Sequence, residues 1–251
     1  MRIALTRAVS PTIDHAELTH VARVPIDLAR AEEQHATYER MIEELGCTVR
    51  RIDPAPAMPD AVFVEDTAIV VDELAIITRP GAESRRNEIA SMAAALGDYR
   101  PLAYISEPAT IDGGDVLHIG KRLWVGESER SSSDAVTQLR ALLPGYVIES
   151  VPLRDALHLK TAVTYAGNNT LIINPAWVDP LEGFDIIEVD PSEPFAANVL
   201  TIGTTVVCSV AFPRTAQRLR ERGFDVREID ASELAKAEGG LTCCSVIFEQ
   251  S

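Results

Sequence analysis

A chain of 251 residues, 46% of them hydrophobic, can bury a substantial core as one large domain or two small ones. Its formal net charge of −15 opposes the phosphate contacts on which binding to nucleic acid or an anionic membrane depends, and it suits a cationic small molecule or plain solubility. No apolar run reaches the length of a membrane span, MRIALTRAV reads as a strand rather than a signal peptide, and the four cysteines lack metal-site spacing, so the expectation is a cytoplasmic protein with reduced thiols.

The chain opens on a strand at Arg2–Thr6. LARAEEQHATYERMIEEL, from Leu28 to Leu45, then places Leu28, Ala31, His35, Tyr38, Ile42 and Leu45 on one helical face, with Gly46 as a stop. CTVRRI is strand-like. Two apolar runs, AVFVEDTAIVV and LAIITRP, lead to a helix through ESRRNEIASMAAAL, a stop at Gly97 and a strand RPLAYI. The same grammar returns as GDVLHIG, RLWVGES, a helix near SDAVTQLRALL and YVIESVPL. It returns again as LHLKTAVTYAG, TLIINPAWV and FDIIEVD, with little room for a helix. The last copy is NVLTIGTTVVCSVAF, a helix over PRTAQRLRER, and FDVREID.

The unit is strand–strand–helix–strand, recurring roughly every 40 to 50 residues, which marks a repeat architecture. The first unit lacks one strand before its helix, and the C-terminus has one to spare at Leu241–Phe248. Docking strand 241–248 into the first unit completes five units in a ring and removes exposed edges. The fold class expected is α/β, built of pseudo-symmetric ββαβ units as a single catalytic domain over 1–251; the alternative is an open mixed α/β sheet.

Each unit's first strand carries polar residues in an otherwise apolar run: Glu65 and Asp66, Asp112 and Asp115, His158, Asn198 and Cys243. In a ring of similar units these positions converge on the axis, forming a cleft with a nucleophile, a proton carrier and a preference for cations. Plainer readings hold elsewhere. Cys47 and Cys208 are small core residues, and His15, His20, His35 and His118 are surface or satisfied core groups. Arg85 and Arg86 fit an exposed salt bridge in the first turn of a helix, and Ser131–Ser133 a helix cap. Strand alternation sends Cys243 and Cys244 to opposite faces, so they cannot share a role.

The segments MPDAVFVEDTAIV, AIITRPGAESRRNEI, ATIDGGDVLHIGKRLWVGESER, LHLKTAV, AANVL and GGLTCCSVIF together resemble the dimethylarginine dimethylaminohydrolase family. This is part of the guanidino-modifying pentein superfamily, whose fold is a five-bladed α/β-propeller around a central polar active-site channel. The resemblance implies Cys243 as nucleophile, His158 as general acid and base, and Asp112 as the carboxylate beside the guanidinium. It makes Asp66 the bidentate holder of that group, with Glu65 and Asp60 alongside, and gives Arg85 and Arg130 the substrate carboxylate. Leu18 falls where a lid covers the substrate. Position 112 is Glu in some bacterial relatives, one methylene longer.

The chemistry fits such a set. A guanidinium is planar and resonance-stabilised, so coplanar carboxylates fix it while a thiolate attacks its carbon from above the plane. His158 protonates the departing amine and then deprotonates water, so that mono- or asymmetric dimethylarginine yields citrulline and methylamine or dimethylamine. No metal or organic cofactor is called for. Three rivals remain: an arginine deiminase or amidinotransferase of the same superfamily, a non-catalytic binding propeller, and a thiol-based metal site at Cys243 and His158, which supply only two ligands.

Overall fold

The computed structural model describes residues 1–250. The first unit holds β1 (Arg2–Thr6), α1 (Leu28–Glu44) and β2 (Cys47–Arg51); the second β3 (Ala68–Val70), β4 (Ala75–Ile77), α2 (Ile89–Leu96) and β5 (Leu102–Tyr104). The third is β6 (Val116–Ile119), β7 (Arg122–Glu127), α3 (Ser133–Leu142) and β8 (Val147–Pro152). The fourth has a short α4 (Leu159–Ala162), then β9 (Val163–Gly167), β10 (Thr170–Ile173) and β11 (Asp185–Glu188). The fifth is β12 (Leu200–Ile202), β13 (Thr205–Ser209), α5 (Pro213–Glu221) and β14 (Asp225–Ile229), after which α6 (Ser232–Ala235) and β15 (Val246–Glu249) end the chain.

These strands form five three-stranded sheets. Within each, the first pair is antiparallel and the second parallel, as β6–β7–β8 illustrates, with Leu117 opposite Trp124 and Trp124 opposite Glu149. First strands of neighbouring units touch one another, β15 with β3, β6 with β9 and β9 with β12, so they make the inner wall of the ring. Helices cover the outside: Ala31 and Ile42 of α1 pack with Ala4, and Leu139 of α3 packs with Leu123. Among the described residues no helix is long and apolar enough to cross a membrane.

The ring closes through the two chain ends. β15 pairs antiparallel with β1, Ile3 opposite Phe248, and Arg2 Nε donates to Glu249 Oε1 at 2.9 Å. The closing strand is shorter than the expected 241–248, because Leu241–Ser245 forms a turn instead. Its polar groups are satisfied without a ladder partner: Cys243 N donates to Gly240 O at 3.3 Å, and Thr242 N to the Asn198 carboxamide oxygen at 3.1 Å.

The same displacement occurs in every unit. Glu65 and Asp66 sit on a 3₁₀ turn, Val64–Thr67, just before β3, and Asp115 ends a 3₁₀ turn, Gly113–Asp115, before β6. His158 precedes α4, and Asn198 precedes β12. The polar residues thus occupy single turns leading into the inner strands, rather than the strands themselves. A turn releases consecutive side chains from the two-faced alternation of a strand, so neighbours such as Glu65 and Asp66 can both serve the interior. A second adjustment lies at Glu83–Glu88, where the expected helix starts as a 3₁₀ segment before α2.

Candidate active site

The turns bring His158, Asp66 and Asp112 together, with ligand-type atoms of all three within 4.8 Å of one another. His158 Nε2 lies 3.0 Å from Asp112 Oδ2, and Nδ1 lies 3.9 Å from Asp66 Oδ1. Each ring nitrogen therefore faces a carboxylate, the geometry of an imidazolium. Burial by itself lowers the pKa of His158, but the charges of Asp66, Asp112 and Asp115 outweigh it and raise the group to about 9.

Two glycines make this approach possible. A Cβ on Gly114 would fall 2.6 Å from His158 Nδ1 and 2.8 Å from Asp66 Oδ1. One on Gly81 would fall 2.5 Å from the Arg130 carbonyl oxygen, while the Gly81 N–H donates to Asp112 Oδ1 at 2.9 Å. The second G of DGGD and the G of TRPGA are there because backbone must lie flat against the site.

Buried groups behind these residues hold them. Asp115 Oδ1 accepts from the Leu159 N–H at 2.9 Å, which fixes the backbone next to His158, and Oδ2 accepts from Ser128 and Ser131. Ser131 therefore serves Asp115 rather than capping a helix, and Ser132 precedes α3 without a side-chain capping bond. Asp66 accepts from Arg85 Nη1 at 2.5 Å and from the Gly114 N–H at 3.0 Å. Burial opposes ionisation of Asp66, but His158 and Arg85 prevail and hold it at about 2. Arg85 is itself buried: Nε and Nη2 bond Glu88, and Nη2 also donates to the Phe63 carbonyl at 2.9 Å. It is a committed internal cation, not the exposed pair its place in sequence suggested.

Cys243 reaches the same space from the last turn. Its carbonyl accepts from the Glu65 N–H at 3.1 Å, and its Sγ receives the Gly240 N–H at 3.3 Å. Burial, then the negative charges of Glu65 and Asp66, pushes this thiol well above its ordinary range. Cys244 is buried in the core cluster with Ala4, Tyr38 and Leu241 and does not line this space, and burial pushes its thiol up to about 12. Glu65 is tied to Lys160 Nζ at 2.5 Å and to Thr242 Oγ1 at 2.7 Å. Asn198 braces this turn, donating to the Lys160 carbonyl at 2.9 Å and to Thr242 Oγ1 at 3.1 Å.

A small cavity of about 20 Å³ gathers Asp60, Asp66, Arg85, Arg130, His158 and Cys243. Arg130 is its more accessible cation, with Nη1 3.9 Å from Asp112 and Nη2 donating to Thr19 Oγ1 at 3.1 Å. Burial raises the Asp60 carboxyl to about 6, although it accepts the Glu17 N–H at 3.2 Å. Leu18 is half-buried in the segment crossing the cavity and does not itself line it. That segment is pinned by Glu238, whose carboxylate accepts the N–H groups of Thr19 at 2.9 Å, His20 and Val21 at 2.8 Å. Nothing in the sequence around Glu238 marked it. Glu65 and Lys160 also line a separate cavity of about 420 Å³ that neither Cys243 nor His158 lines.

The Asp66–Asp112–His158 trio has the donor types of a metal site, but a cationic side chain already sits against each acid, His158 on Asp112 and Arg85 on Asp66. His158 Nε2 is hydrogen-bonded to Asp112 and protonated up to about pH 9, and Asp66 is neutralised by Arg85. The arrangement suits a flat cation with N–H donors, since each carboxylate oxygen keeps spare acceptor capacity.

Comparison with known proteins gives three concordant findings. A family profile described as arginine deiminase matches residues 4–197. An N(G),N(G)-dimethylarginine dimethylaminohydrolase of Streptomyces coelicolor is 38% identical, covering 97% of this chain and 95% of the relative. One of Pseudomonas aeruginosa is 34% identical over 98% of each chain. The Pseudomonas enzyme, solved as a cysteine-to-serine mutant complexed with citrulline, superposes with a TM-score of 0.93, 32% identity and 98% coverage of both chains. The profile match ends before the Cys243 turn, whereas both full-length relatives extend across it.

Proposed function

We propose that this chain, which belongs to the arginine deiminase family, hydrolyses Nω-methylated arginine to citrulline and methylamine or dimethylamine. The observation that carries the reading is the meeting of Cys243, His158 and Asp66 in one cavity, with buried Asp112 hydrogen-bonded to His158 beside them. The substrate guanidinium donates to Asp66 and Asp112, which fixes its plane. Arg130 receives the α-carboxylate, Asp60 faces the α-ammonium, and Leu18 lies in the strap above. Arg85 adds positive charge from beneath and holds Asp66 in place, and Glu65 fixes the backbone of the nucleophile.

In the empty enzyme the proton distribution is thiol plus imidazolium. A bound guanidinium offsets the carboxylate field and favours the thiolate, the thiol proton passing to solvent, so the nucleophile is released only when substrate is present. Sulfur attacks the guanidinium carbon, and His158 gives its proton to the alkylated nitrogen as the carbon–nitrogen bond breaks. The neutral imidazole then takes a proton from water, hydroxide adds to the carbon, and sulfur departs to leave citrulline.

The arginine deiminase description of the family profile makes arginine the competing substrate. The two full-length relatives bear the dimethylarginine name, which favours methylated substrates. A panel of arginine, monomethylarginine, both dimethylarginines and agmatine separates them. The expected result is citrulline with alkylamine release, abolished by Cys243→Ser in a protein that keeps its circular dichroism. Faster ammonia release from arginine would overturn the reading.

A further inference from the structure

Cys243 and His158 lie at the junction of two cavities of opposite character. One is the small charged cavity to which the methylarginine reading assigns the amino-acid end of the substrate. The other, about 170 Å³, is walled largely by apolar groups, among them Leu157, Phe195, Phe212, Ala235 and Leu241. Phe195 is 42% exposed, yet it is held in an edge-to-face contact with Trp177 at 5.0 Å. Glu238, a charged group on this wall, is already occupied by the strap N–H groups. A methyl group needs far less than this space, since about 10–15 Å³ of it holds a water molecule.

We propose that this second cavity is a subsite for the substituent on the ω-nitrogen, so that the enzyme also hydrolyses Nω-alkyl arginines carrying chains of up to about four carbons. The inference rests on the methylarginine reading and extends its substrate class. With the charged end anchored at Asp60 and Arg130, the far end of the guanidinium lies beside Cys243. A substituent there meets either the carboxylates or the apolar wall, and only the wall gains by excluding water. The bonds are those of the methyl reaction. Sulfur binds the guanidinium carbon, the carbon–nitrogen bond to the alkylated nitrogen breaks, that nitrogen leaves with the His158 proton as the alkylamine, and water completes citrulline.

The test compares Nω-methyl-, ethyl-, propyl- and butyl-arginine. Each methylene placed in the cavity strengthens binding by roughly a factor of three to four, so kcat/KM for the butyl substrate is expected within about tenfold of that for methyl, or above it. Ala235→Leu narrows the cavity from an exposed helix position and should lower the butyl rate at least tenfold more than the methyl rate. Ala211→Leu, on a separate loop of the same wall, does the same if the first variant folds poorly. A fall of more than a hundredfold from methyl to ethyl or butyl overturns the subsite, as does an equal loss for both substrates in these variants. Calorimetric binding to Cys243→Ser separates this outcome from failure of the methylarginine reading. Tighter binding of butyl- than methyl-arginine, lost in Ala235→Leu, upholds the subsite even where turnover is absent; weaker binding of butyl-arginine overturns it.

Discussion

Replacing Asp112 with Asn removes one negative charge from beside His158 and keeps the shape of the side chain. The carboxylate oxygen lies 3.0 Å from Nε2, and the closest other cation, Arg130, is 3.9 Å away, so Asp112 is less neutralised than Asp66 with Arg85 at 2.5 Å. Two unit charges about 4 Å apart interact by roughly 4 kcal/mol at an effective dielectric of 20, equivalent to about three pKa units at 1.36 kcal/mol each. Asp66 and Asp115 remain, and the Asn carbonyl still accepts the Nε2 proton, so the net drop is smaller, about 1.5 to 2 units. His158 should therefore titrate near 7 in Asp112→Asn, against about 9 in the parent. The assay is a proton–carbon NMR titration of the five histidines, with His158 identified from the resonance missing in His158→Gln. A midpoint within about 0.3 units of the parent refutes the electrostatic account.

Four further outcomes follow. Because folding raises His158 from 6.5 to about 9, its contribution is complete below pH 6.5 and disappears as pH rises through 9. Urea midpoints should fall over that window by the equivalent of about 3 kcal/mol, a slope that His158→Gln removes. Alkylation of the free enzyme by iodoacetamide should mark Cys243 and spare buried Cys244, with a rate still climbing at pH 9; a half-ionised thiol below pH 7 contradicts the field of Glu65 and Asp66. Arg130→Ala should raise KM about 10- to 100-fold with little change in melting temperature, as expected for a lost carboxylate contact of about 1.5–3 kcal/mol. Arg85→Gln strands Asp66 and Glu88 and should cost about 3–5 kcal/mol of stability, read by calorimetry.

How much of this was legible beforehand differs between the frame and the site. The recurring strand–strand–helix–strand order was readable because apolar periodicity and stop signals are local: Leu28–Glu44 and Ser133–Leu142 are helices, and the unit at 163–188 crosses from β10 to β11 without one. The ring closure followed from a missing strand at one end and a spare one at the other. The turns before the inner strands were not readable. VFVED and LTCCSV look like continuous strands, and what ends them early is tertiary: the Glu65 N–H meeting the Cys243 carbonyl, and Asn198 satisfying Thr242. Strand alternation predicts opposite faces for Cys243 and Cys244, but both lie on a turn, where Cys243 lines the cavity and Cys244 is buried in the core. Arg85 likewise has the local appearance of a surface residue, and only the fold places Asp66 and Glu88 around it. Glu238 and the 170 Å³ cavity depend on contacts between distant segments, which no periodicity records.

The claim on which the rest depends is that sulfur 243 forms the bond to the guanidinium carbon. Acid quenching of the enzyme during turnover of monomethylarginine, followed by mass spectrometry of the peptide containing Cys243 and Cys244, observes that bond directly. The account predicts a transient adduct on Cys243, formed as methylamine is released and absent in Cys243→Ser. Steady turnover to citrulline with no adduct in the rapid-quench time course, or an adduct on Cys244, would contradict it.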